Sequence, residues 1–180
     1  METHELIPHP DHPPGTVSQV KARITNADEN WLNLHWHIED AGQLVVPPFA
    51  GKGRADGLWR TTCFELFLRQ MGEEAYVEIN LSPSERWAAY DFIAYREGMA
   101  KCPLAREPIC TVQVGQRIAI FDAAVPLAGL PPRPWELALA AVIEETGGAK
   151  SYWALAHPPG KPDFHAPACF ALTLPPPERP

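Results

Sequence analysis

Residues 58–99, LWRTTCFELFLRQMGEEAYVEINLSPSERWAAYDFIAYREGM, decide the fold class of this chain. The segment holds three strand-like runs in which polar residues keep a fixed parity inside otherwise apolar sequence. Thr62, Phe64, Leu66 and Leu68 fall on one side of an extended strand, and Cys63, Glu65, Phe67 and Arg69 fall on the other. In the next run Val77, Ile79 and Leu81 alternate with Tyr76, Glu78 and Asn80. One face of the sheet therefore packs on a core, while its reverse carries carboxylates, an amide and aromatic rings. A face needed only for solubility would more often carry Lys, Thr and Ser, so Glu, Asn, Trp and Tyr together read as a recognition surface.

Working outward, further strands are expected at 17–25, 31–39, 109–114, 116–125, 135–145, 151–157 and 168–174, beside those at 61–69, 75–81 and 86–95. The clearest alternation is Leu32, Leu34, Trp36 and Ile38 against Trp31, Asn33, His35 and His37. Val114-Gly115-Gln116 and the Gly147-Gly148 pair read as tight hairpins. The run WELALAAVIEE at 135–145 has helical propensity as well, but its Gly-Gly ending ahead of another strand favours a hairpin. The chain has 21 prolines in 180 residues, where ordinary usage would give about nine. They cluster between the runs, which suits short strands joined by rigid loops. These features predict an all-β fold, an antiparallel sandwich or barrel. A single domain is expected over 16–174, with Pro-rich, poorly packed tails at 1–15 and 175–180.

The net charge of −7 comes without any Lys/Arg cluster, so nucleic acid is not an expected partner. No apolar run reaches the roughly 18 residues that span a bilayer, so no membrane association is expected. The first residues lack a basic start followed by an apolar stretch, and the expected location is cytoplasmic. Cys63, Cys102, Cys110 and Cys169 are widely spaced and form no CxxC pair, which argues against both a disulfide framework and a zinc site.

Three segments, LWRTTCFELFL, YVEINLSPSERWAAYDFIAYREGM and the closing SYWALAHPPGKPDFHAPACFALTL, together resemble bacterial DOMON-like domains, relatives of family-nine carbohydrate-binding modules. The likeness runs from about Ser18 to Leu174. It implies an immunoglobulin-like sandwich, in agreement with the strand count, and ligands that vary across the group between sugars and haem. In such relatives paired aromatic rings sandwich a terminal sugar, and some carry structural calcium. Fold alone does not settle which ligand applies.

Glu65, Glu78 and Asn80 share the non-core face, and carboxylates and amides match the donors and acceptors of sugar hydroxyls. A partly buried polar layer satisfied by its neighbours is the competing reading. Trp59, after Gly57-Leu58, and Trp87, after the Ser82-Pro83-Ser84 turn, are candidate stacking platforms; Tyr76 and Tyr90 are further aromatic candidates. Arg60 would orient a carboxylate or meet an anionic substituent. In the rigid loop from His157 to His165, Lys161, Asp163 and His165 either close one edge of the site or plug an end of the sandwich. His35-x-His37 has metal-compatible spacing but no third ligand nearby, and Met71 or Met99 with a distant His could serve haem. The expected function is non-catalytic binding of a saccharide or similar polyol without a cofactor. The alternatives are a small glycoside-acting enzyme using Glu65 and Glu78, and a haem- or metal-binding domain.

Overall fold

The computed structural model describes residues 2–177. Thirteen strands make up the chain among the described residues, joined by turns and three short 3-10 segments. They are β1 (Thr3–Pro8), β2 (Gln19–Ala27), β3 (Trp31–Glu39), β4 (Gly53–Arg54), β5 (Cys63–Gln70), β6 (Tyr76–Leu81), β7 (Arg86–Phe92), β8 (Ala100–Lys101), β9 (Ile109–Val114), β10 (Ile118–Pro126), β11 (Trp135–Glu145), β12 (Ala149–Ala154) and β13 (Leu172–Leu174). The strands expected at 31–39, 109–114 and 135–145 match β3, β9 and β11. Residues 168–171 instead form a 3-10 turn, Pro167–Cys169, and its exit, leaving β13 as a short strand.

The strand order β4-β7-β6-β5-β11-β12-β1-β2-β3-β10-β9 describes one continuous path that doubles over at β1. Residues Thr3–Leu6 pair with β2, whereas Ile7 and Pro8 pair with β12, so β1 belongs to both layers. Pairing is antiparallel throughout except for the two-residue contact of β4 with β7. The two layers meet through the alternating apolar residues. Trp36 of β3 lies 5.3 Å from Phe64 of β5, and Phe64 stacks on Phe121 of β10 at 4.2 Å. This is a β-sandwich, one of the two closures that the alternation allows and the one that the resemblance implies.

The first 15 residues are not a poorly packed tail. Leu6 is buried in the main core, and β1 supplies backbone hydrogen-bonding groups to both sheets. Beyond it, the Glu145 carboxylate accepts bonds from the backbone N–H groups of Gly15 and Thr16, both at 2.6 Å, and from the Thr16 hydroxyl at 2.6 Å. Proline frequency suggested a tail, but the alternation in the sequence THELIP and the reach of Glu145 decide its fate. The tail expected at 175–180 is without secondary structure to Pro177, and its last three residues lie outside the described ones.

The β5-β6-β7 layer has a second apolar cluster on its outer side. Phe67, Tyr76 and Phe92 project there and are covered by Phe164, Ala166, Cys169 and Phe170 from the segment between β12 and β13. Such a sheet is buried on both faces where this segment lies. It is open only where the segment stops short, and that opening is the site.

Candidate functional site

Strand register assembles the floor. Glu65 on β5 pairs with Asn80 on β6, and Phe67 pairs with Glu78, so Glu65 and Glu78 are diagonal neighbours on one face, about 7 Å apart at the backbone. Glu78 pairs in turn with Tyr90 of β7. A cavity of about 650 Å³ opens above this floor. Glu65, Glu78, Tyr90, Phe92, Val142 and Tyr152 reach it from five adjacent strands. Its walls come from loops: Trp59 from the 3-10 turn Leu58–Arg60, Arg96 and Met99 from the turn after β7, and His12 from the N-terminal segment. Lys161, Pro162, Phe164 and His165 close it from the segment after β12.

Glu65 is only 4 % exposed, and among the described residues nothing hydrogen-bonds its carboxyl. Burial, with the neighbouring Glu78 charge adding to it, pushes its pKa well up. Glu78 is likewise raised by burial, partly offset by the Asn80 amide and the Arg96 charge. Asn80, two residues along the same face of β6, donates to Glu78 Oε1 at 2.8 Å and braces the carboxyl without lining the cavity. Its own Oδ1 is buried without a partner.

His165 sits in an aromatic enclosure. Its ring is edge-on to Phe67 and to Phe92, each at 5.1 Å, and Nδ1 lies 2.7 Å from the Tyr76 hydroxyl. Nε2 lies 3.6 Å from Glu78 Oε2. Burial and the nearby Arg96 charge bring its pKa down to about 4, so the ring is neutral at pH 7. The Arg96 backbone N–H donates to the Tyr76 hydroxyl at 3.1 Å, which leaves that hydroxyl free to donate to Nδ1.

Asp163 does not face the cavity; it clasps the loop to the turn after β7. It accepts from Arg96 Nη2 at 2.6 Å and Nε at 3.2 Å, from the Tyr95 hydroxyl, and from the His165 backbone N–H at 3.1 Å. Burial alone would raise its pKa, but the Tyr95 and Arg96 hydrogen bonds outweigh this and lower it. The His157–His165 loop thus combines both readings open at the level of sequence. Asp163 and Phe164 anchor it, while Lys161 and His165 border the cavity.

Of the expected site residues, Trp59, Glu65, Glu78, Lys161 and His165 converge on this one hollow. Trp87 does not. It faces Leu81 across the inner side of the sheet and is buried in the main core. Parity explains the difference, since residues 87 and 89 point inward whereas Tyr90 and Phe92 point to the cavity. Arg60 is exposed, its guanidinium 5.7 Å over the Trp59 ring and outside the cavity. His35 and His37 lie on the other layer, His35 2.8 Å from Asp122, and no group of three metal-ligating side chains is assembled among the described residues. Met71 is exposed and does not line the cavity, whereas Met99 borders it. Both ring nitrogens of His165 are directed at Tyr76 and Glu78, a poor fit to haem ligation with Met99.

Tyr90, Phe92, Tyr152, Phe164, Arg96, Met99 and His12 complete the lining. Tyr90 and Phe92 follow from extending the Glu78 parity across the hairpin. The loop residues carry no periodic signal. Tyr90 donates to Asp56 Oδ1 at 2.5 Å, and Arg54 stands 4.9 Å over its ring, which fixes that wall.

No family model matches the chain, and no curated protein matches it in sequence. Several solved structures share its fold, three of them as follows. A candidate carbohydrate-binding protein from Bacteroides uniformis ATCC 8492 superposes with a TM-score of 0.62 at 16% identity, covering 93% of this chain and 83% of that one. A family 9 carbohydrate-binding module from Caldicellulosiruptor kristjanssonii in complex with glucose gives 0.51 at 11% identity, covering 82% and 71%. The same organism's family 9 module in complex with cellotriose gives 0.54 at 11% identity, covering 82% and 72%.

Proposed function

We propose that this chain is a non-catalytic saccharide-binding domain, DOMON-like in the sense of the sequence resemblance, with the cavity over Glu65 and Glu78 as its site. One observation carries the reading: two carboxyls from adjacent strands, a half-exposed indole and a rim lysine border a single hollow of monosaccharide-to-disaccharide size. Trp59 offers a flat apolar face to the CH face of a sugar ring. Glu65 and Glu78 lie below as hydroxyl partners, and the Asn80 amide holds Glu78 in place. Lys161 reaches ligand oxygens at the rim. The sugars bound by structures of the same fold support this choice of ligand class.

Calorimetric titration with glucose, cellotriose and a panel of common mono- and oligosaccharides tests the reading. At least one is expected to bind with a Kd of roughly 0.01–1 mM, modest because ligand hydroxyls exchange water for protein partners at little net gain. Silence across the panel from folded protein overturns it.

One observation favours a second reading. Paired carboxyls with raised pKa values resemble an acid/base pair for glycoside hydrolysis, for which the carboxyl separation is about 5–10 Å. Hydrolysis of a chromogenic glycoside by the wild type but not by Glu65→Gln would establish that role in place of simple binding.

A further inference from the structure

The electrostatics of the cavity floor are one-sided. Glu65 and Glu78 are both nine-tenths buried, and no cation pairs with either within 4 Å among the described residues. The groups facing them are few. His165, 3.6 Å from Glu78, is neutral, and Asn80 is an amide. Arg96 is felt by Glu78, but its guanidinium is committed to Asp163 through two hydrogen bonds. Lys161 and His12 also border the cavity; Lys161 is exposed and makes no ion pair with the floor.

Burying carboxyls without a counter-charge is costly, and such groups keep a proton until a cation arrives. Around this pair stand Trp59, Tyr90, Phe92, Tyr152 and Phe164. Aromatic faces attract cations through their quadrupoles, most strongly where water is excluded. Buried acids beneath and aromatic walls around form a receptor for positive charge. A neutral sugar would leave the acids protonated and make no use of either the acids' latent charge or the aromatic faces' attraction for a cation.

We propose that the preferred ligand is an amino sugar, a saccharide bearing a free protonated amine that seats between Glu65 and Glu78. This deepens the saccharide reading and rests on it. Binding exchanges a buried proton on the carboxyl pair for the ligand ammonium: the ligand arrives as –NH₃⁺, a carboxyl O–H bond breaks, and the proton leaves to buffer. The rim charge of Lys161 opposes entry only weakly because it is solvated and screened by salt.

Calorimetry on the full chain at pH 7 with glucosamine, glucose and N-acetylglucosamine, in two buffers of different ionisation enthalpy, tests this. Glucosamine is expected to bind at least tenfold more tightly than glucose, with an apparent heat that changes between buffers as protons are released. N-acetylglucosamine, equal in ring but uncharged, should lose that advantage. Glu65→Gln, checked for folding by its thermal melt, should reduce the glucosamine preference to less than threefold while keeping residual sugar binding. If glucose or N-acetylglucosamine binds as well as glucosamine, the ammonium proposal is overturned and the saccharide reading stands. A glucosamine advantage that Glu65→Gln and Glu78→Gln both retain overturns it equally. If no saccharide binds at all, both fall.

Discussion

At the residue scale, the carboxyls divide by what surrounds them. Glu145 resembles Glu65 in burial but has the opposite environment. Burial would raise its pKa, yet bonds from Thr16, Gly15 and Val17 reverse this and lower it below 4.5. Its contribution to stability is therefore present above about pH 4.5 and lost as pH falls through the lowered folded value. Glu145→Ala is expected to cost about 2–4 kcal/mol in urea unfolding at pH 7, with a smaller difference at pH 3. Glu65 has the contrary sign. Its folded pKa lies above the ordinary 4.5, so the ionised form is penalised as pH rises past that value. Glu65→Gln should consequently melt at or above the wild-type temperature at pH 8, with the gain shrinking toward pH 4 in a thermal scan. Trp59, 52 % exposed, should behave differently again. Trp59→Ala is expected to weaken saccharide binding about tenfold in titration while moving the melting temperature little, because few of its contacts are buried.

At the element scale, period-2 alternation carried most of the information. It separated Phe64, Leu66 and Leu68 from Glu65 and Phe67 correctly, because a sheet with distinct faces forces its residues to alternate. The same rule, applied from Glu78 through the register to Tyr90, places Trp87 on the inner side. The Ser-Pro-Ser turn sets Trp87 at a loop–strand junction, but strand parity governs where the ring goes. Arg96, Met99 and His12 were illegible for a different reason: loop side chains reach the cavity through tertiary contacts with no repeating spacing. The clasp of Asp163 on Tyr95 and Arg96 belongs to this class. Asp163→Ala should raise the rate of limited proteolysis within 157–165 and weaken ligand binding, while global stability changes by less than about 1 kcal/mol because Arg96 is half exposed.

At the scale of the whole molecule, the sandwich followed from the sequence because its two layers are each amphipathic along their strands. What did not follow was membership of the first strand, since a high proline count says only that regular structure is interrupted, not that the intervening residues are unpacked. Leu6 is buried to 1 % and bonded on both sides through its strand. Leu6→Ala is expected to cost about 2–4 kcal/mol, read from the urea midpoint, as for an interior leucine elsewhere in the core.

The shared strand has a mechanical corollary. Because β1 is stitched by Thr3–Leu6 to one layer and by Ile7–Pro8 to the other, the layers cannot slide past each other without tearing that stitch. A tension applied at the N-terminus loads both sheets at once, in shear along β1 instead of by peeling an edge. The cavity floor, drawn from five adjacent strands, is thereby kept from skewing, and only the loops around it are left to yield.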